Sequence, residues 1–88
     1  MTLYFLRCLN FVEVGVASDF APRLDAIPRE NFHPVEVLRA YGHRDENWIR
    51  QLERETHSEL EGVNAHHEFF ADSPEVRAVI ERLDRLFY

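Results

Sequence analysis

The phenol of Tyr4, the guanidinium of Arg23, the imidazole of His57 and the carboxylates of Glu13 and Glu68 are of types that can act on a phosphate ester. Phosphodiester hydrolysis needs an activated water, a cation on the phosphoryl oxygens and compensation for charge on the departing oxygen. A carboxylate holding Mg²⁺ or Mn²⁺, an arginine and one or two phenols can supply these. The same side chains have ordinary roles as well. A tyrosine in an opening strand is commonly a packing aromatic, Arg23 can pair with Asp19 or Glu30, His57 can pair with Glu53 one helical turn earlier, and Glu68 can be a surface acid. Residue type alone leaves both sets of roles open.

Other reactive-looking residues point to less. His66, His67 and Glu68 are consecutive, so they are poorly placed to converge on one ion, and no cysteine pair lies nearby to complete a zinc site. Cys8 is the one cysteine, which leaves it without an internal disulfide partner and reads as a buried or half-buried structural thiol.

The elements that must position these residues can be followed along the chain. Leu3 to Arg7 and Phe11 to Ala17 read as a hairpin of two strands rich in aromatic and branched residues. Alternation in the second strand places Val12, Val14 and Val16 on one face and Phe11, Glu13, Gly15 and Ala17 on the other, with Glu13 pointing away from the core. Ser18-Asp19 caps a short helix with Phe20, Leu24 and Ile27 on its inner face, expected to stop at Ile27 because Pro28 opposes continuation. Residues 29–33 read as a loop and His33 to Tyr41 as a third strand ended by Gly42. From Asp45 to Gly62 a long helix buries Trp48, Ile49, Leu52, Thr56 and Leu60. After a short break over 65–72, Ser73-Pro74-Glu75 starts a last helix with Val76, Val79, Ile80, Leu83 and Leu86 against the sheet.

The expected architecture is thus a single domain over residues 1–88 in the mixed α/β (α+β) class, ordered strand, strand, helix, strand, helix, helix, with a three-stranded, mainly antiparallel sheet. The chain is long enough for one modest core. No apolar run reaches the roughly 20 residues of a membrane span, and no secretory signal opens the sequence, so a cytoplasmic, reduced setting is expected. With 16 acidic against 10 basic side chains the net charge is −6, which builds in no general affinity for phosphate. Residues 1–44 hold five arginines and five acids, and 45–88 hold five arginines and eleven acids. A basic groove is therefore expected in the N-terminal half, and the acids over 53–61 (Glu53, Glu55, Glu59, Glu61) read as a solvated helix face.

The order of elements, with its aromatic hairpin, resembles the GIY-YIG nuclease family over nearly the whole chain, in particular a short stand-alone phage and bacterial subgroup. Leu3-Tyr4-Phe5, or the overlapping Tyr4-Phe5-Leu6, is similar to the first motif and Glu13-Val14-Gly15 to the second. Arg23, eight residues after Gly15 and followed by Leu24, is similar to the family's helix arginine. Leu52 to His57, followed by Glu68-Phe69-Phe70, resembles its Glu/His helix and Glu-aromatic element. The resemblance implies that Glu68 binds Mg²⁺ or Mn²⁺, Arg23 clamps the phosphate, Tyr4 sits near the nucleophile, and His57 moves a proton or touches the phosphate. Where that family has Tyr or Lys this chain has Glu13, which cannot donate to a phosphate and could act as a second metal carboxylate beside Glu68.

Two functions follow as expectations. The first is a metal-dependent endonuclease or nickase acting on DNA, for which a homodimer would suit cleavage of both strands. The second is a non-catalytic module on the same fold, a phage- or host-encoded inhibitor that engages a basic protein through the acidic face of residues 53–61.

Overall fold

The computed structural model describes residues 1–30 and 34–88 and, within 26–30, the backbone alone. Strands β1 (Thr2–Cys8) and β2 (Phe11–Ala17) form the expected hairpin, with Tyr4 opposite Gly15, Phe5 opposite Val14 and Leu6 opposite Glu13. Leu9 adopts a φ of 58°, the left-handed conformation that lets a two-residue turn follow the strands' twist. Helix α1 (Phe20–Glu30), strand β3 (Glu36–Gly42) and helix α2 (Glu46–Glu59) follow. A 3-10 turn at Glu61–Val63, two short strands, β4 (Asn64–His66) and β5 (Phe69–Ala71), and helix α3 (Pro74–Phe87) complete the chain.

The sheet has five strands in the order β3-β1-β2-β5-β4, each neighbouring pair antiparallel, and not the expected three. The α+β class stands, but the element order gains a hairpin before the last helix. Residues 65–72, expected as a break between helices, supply most of that hairpin. Phe11, Val12 and Glu13 of β2 pair with Ala71, Phe70 and Phe69. Three-residue strands carry too little alternation to be visible in sequence, and β2's unpaired edge is what draws them into the sheet.

The inner strand β1 is buried on both faces, so period-2 alternation serves two packing layers. One layer joins Leu3, Phe5, Val12, Val14, Tyr41 and Phe70 to Ile49 and Leu60 and to Val76, Val79, Ile80 and Leu83 of α3. Each such side chain contributes about 1.5–3 kcal/mol by leaving water. The opposite layer is smaller, with Tyr4 and Leu6 packed on Ala17, Phe20 and Val35. This second layer makes Glu13 a buried acid at 8% exposure: it lies on the expected face of β2, but α1 covers that face.

Local signals were realised unevenly. Asp45 caps α2 by accepting from the Trp48 amide at 3.1 Å, and Asp19 accepts from the Ala21 amide at the start of α1. Helix α1 does not stop at Ile27 but runs through Pro28 to Glu30, so the lost amide and the proline ring's crowding of the carbonyl four residues back fall on the last turn alone. Residues 29 and 30, expected in the loop, are therefore helical, and the rest of that loop and the His33 start of the third strand lie outside the described residues. Ser73 occupies the cap position of α3 yet makes no side-chain capping bond, and among the described residues its buried Oγ has no partner. Leu86, expected on the buried face of α3, is exposed. Among the described residues no helix is long and apolar enough to cross a membrane.

The expected acidic face of α2 is divided. Glu59 is held by Arg82 of α3 at 2.8 Å, Glu55 accepts from Gln51, and Glu53 is half-buried on the other flank.

Candidate functional site

The tripeptide Glu13-Val14-Gly15 in β2 is where the candidate residues meet. Its side chains and its backbone each recruit different ones. Gly15 lies beneath the ring of Tyr4, so closely that a Cβ at this position would stand 2.5 Å from the Tyr4 hydroxyl oxygen. A glycine in mid-strand is the sequence signal for such an approach. The Tyr4 ring stacks on Phe20 of α1 with centroids 5.3 Å apart, and one turn later the same helix sends Arg23 toward the sheet.

Arg23 joins Tyr4 and Glu13. Its Nε donates to the Tyr4 hydroxyl at 3.4 Å, and its Nη2 donates to both carboxylate oxygens of Glu13, at 3.1 and 3.2 Å. A nearly buried carboxylate requires a partner of this kind, since leaving it unpaired away from water costs several kcal/mol. Glu13 thus holds Arg23 in place, and both of its oxygens are engaged, so it does not stand open beside Glu68.

Burial pushes the Tyr4 phenol above the usual tyrosine range, with Glu13 and Glu68 adding to the rise and Arg23 opposing it. At neutral pH Tyr4 is therefore a neutral phenol. Its oxygen receives the Arg23 hydrogen bond, and among the described residues its own proton has no acceptor.

The Val14 backbone organises the other half. β5 ends its pairing at Glu13, which leaves the Val14 amide and carbonyl at the open edge of β2. The amide donates to the backbone carbonyl of Glu68 at 2.9 Å, and the carbonyl accepts from His57 Nε2 at 2.8 Å. Because a carbonyl only accepts, Nε2 carries its proton, and the chemistry left to a neutral His57 lies at Nδ1. Its ring is also seated against Phe70, centroids 5.2 Å apart. Glu68 sits in the two-residue turn between β4 and β5, where His67 takes a φ of 51° and Asn64 Nδ2 donates to the carbonyls of His67 and Phe69. The Glu68 carboxylate is exposed, and no hydrogen bond or salt bridge to another described residue holds it.

Tyr4, Glu13 and Arg23 are in direct contact on one face of the sheet, while His57 and Glu68 gather at the strand edge. Glu68 links the two groups through its negative charge, which acts on Tyr4 and on Glu53. Glu53 is the neighbour that residue spacing did not mark as part of the site. Burial raises its carboxyl above the usual range, Glu68 raises it further, and His57, Arg50 and Arg54 pull it down.

Among the described residues no three or more His, Cys, Asp or Glu side chains cluster to hold a metal ion. His66 and His67 meet edge to face at 3.9 Å on the surface and do not converge with Glu68 on a shared ligand position. A single exposed carboxylate suits a cation that keeps most of its own waters and takes further oxygens from a bound phosphate, as Mg²⁺ does. It does not suit a closed protein cage.

No curated protein matches this chain, and no solved structure does. The family model of the T5orf172 domain matches residues 2–86, and this overturns the GIY-YIG assignment. Of the four matches behind that resemblance, strand packing accounts for the two tripeptides: Leu3 and Phe5 flank Tyr4 as fully buried core residues, and Val14 belongs to the same core. Matched from its second residue almost to its last, the chain belongs to the T5orf172 domain family, a nuclease-associated family.

Proposed function

We propose that this domain is an endonuclease or nickase that hydrolyses DNA phosphodiester bonds, with Glu13-Val14-Gly15 as the platform of its site. The observation that carries this reading is the meeting of a neutral phenol, a carboxylate-anchored guanidinium, an imidazole and the backbone of a residue with an exposed carboxylate, Glu68, on three consecutive residues.

Each group has a defined part. Arg23, fixed by Glu13, neutralises a non-bridging phosphate oxygen and becomes most valuable as charge accumulates in the transition state. Tyr4 gives its free hydroxyl proton as a hydrogen bond to the phosphate or to the attacking water. The water oxygen forms a bond to phosphorus as the bond to the departing sugar oxygen breaks. His57 Nδ1 takes the water's proton, and solvent returns one to the departing oxygen. Glu68 is the residue that would hold Mg²⁺ or Mn²⁺, which supplies Lewis-acid stabilisation of the phosphoryl oxygens.

Supercoiled plasmid incubated with the protein and Mg²⁺ or Mn²⁺ tests the reading. The expected product is nicked circle, absent when EDTA is present and absent for Glu68→Ala and Arg23→Ala. Supercoiled DNA left intact with either cation at excess protein contradicts the proposal.

A further inference from the structure

The charges of helix α2 are spread unevenly around its axis. On one side Gln51, Glu55 and Glu59 follow at steps of four, and Glu59 is closed onto α3 by Arg82. On the other side Arg50, Arg54 and His57 fall within an arc of about 60° at about 100° per residue, with Glu46 and the half-buried Glu53 bordering it on the His57 side. This second flank turns toward the open edge of β2, where His57 meets Val14.

Arg50 and Arg54 are exposed, and neither has a salt-bridge partner among the described residues. Other arginines are committed elsewhere: Arg7 to Glu36 and Asp72, Arg39 to Asp84, Arg77 to Asp72, and Arg82 to Glu59. Arg50 and Arg54 instead act at longer range on the same Glu53 carboxyl that senses His57 and Glu68. They are thus cations next to the site whose charge is not cancelled by a contact ion pair.

We infer that the Arg50–Arg54 flank of α2 is the track on which the phosphate backbone of a nucleic acid lies as it enters the site. The inference rests on the nuclease reading and gives it a binding surface. Guanidiniums four residues apart stand about 6 Å apart along the helix axis, roughly two nucleotide rises of one strand. Each makes forked hydrogen bonds to phosphate oxygens, a geometry an acidic surface cannot offer. The track lies in the acidic C-terminal half, where segment-wise charge counting places no basic groove. Helical angle, not net charge, decides which side groups share a surface.

The test is fluorescence anisotropy of a labelled DNA duplex in EDTA, with NaCl varied over roughly 50 to 200 mM. Wild type is compared with Arg50→Gln/Arg54→Gln and with Arg85→Gln on the last turn of α3. Loss of two phosphate contacts lowers the slope of log affinity against log salt by about 1.8. The double variant should therefore bind several-fold more weakly with that flatter slope, while Arg85→Gln behaves as wild type. Both α2 positions are exposed, so an unchanged circular dichroism spectrum accompanies the loss. An unchanged slope in the double variant, or an equal drop in Arg85→Gln, overturns the track even where wild type binds DNA and nicks plasmid. Absence of both wild-type binding and nicking overturns the nuclease reading and the track together.

Discussion

Tyr41 donates its hydroxyl proton to Asp84 at 2.7 Å, and Arg39 grips the same carboxylate through Nε and Nη2, whereas Tyr4 receives a hydrogen bond from Arg23 and Arg23 alone grips Glu13. Both regions combine a phenol, a guanidinium and a carboxylate. In the first the carboxylate lies between the other two, so the phenol proton is spent on it and the cluster is closed. In the second the arginine lies between them, and among the described residues the proton of the phenol, itself buried at 4% exposure, has no acceptor. The closed cluster ties β3 to α3 and is structural, while the open one lies beside Gly15 and is suited to chemistry. What separates a latch from a site is the wiring, since the residue types are the same.

The sharpest break between the two comes from removing each arginine. Arg23→Ala leaves Glu13 buried without its cation, and we expect a loss of about 3 kcal/mol in urea unfolding together with a fall in nicking of about a thousand-fold. Arg39→Ala leaves Asp84 solvated and still bonded to Tyr41, so its cost should be far smaller and nicking should stay intact. Equal stability losses would show that burial of the carboxylate does not distinguish the clusters.

Gly15→Ala comes next. The added methyl collides with the Tyr4 hydroxyl and must displace the ring, at a cost of about 2 kcal/mol. A melting temperature matching wild type would mean that the close approach is relieved without strain. Tyr41→Phe is smaller, at about 1 kcal/mol for the lost hydrogen bond, and chemical denaturation reads it directly.

The smallest effect is on pH dependence. Tyr4 and Tyr41 are both raised from 10.0, foremost by burial, so the folded state keeps protons that the unfolded chain has released. Their contribution is full below pH 10 and is lost as pH rises through the higher folded values. Asp84 is lowered from 3.8 by Arg39 first and Tyr41 second, so its contribution is present above that value and fades as pH falls through the lower folded one. Unfolding free energies measured across alkaline pH should decline less steeply in Tyr41→Phe than in wild type. An identical alkaline slope would remove the latch phenol from this account.

The comparison also separates what the sequence disclosed from what folding added. Strong alternation in β2 and the periodicity of α2 and α3 were legible because one face of each meets a large core. The pairing of β4 and β5 was not, since three residues show no period and the strand that selects them lies about fifty residues earlier. Tyr4, Arg23, His57 and Glu68 were legible as candidates by type. The role of Glu13 was hidden, because alternation assigns a residue to a face without revealing that α1 covers that face. The charge partition of α2 was likewise hidden by counting acids along a segment instead of around a helix.

The most direct test of the central claim is the plasmid nicking rate of Tyr4→Phe set against that of Tyr41→Phe, in Mg²⁺ and with both variants folded. Tyr4→Phe should fall by about a hundred-fold while Tyr41→Phe keeps the wild-type rate. Equal rates for the two variants would contradict that claim, because the Tyr4 phenol would then be no more than a second latch.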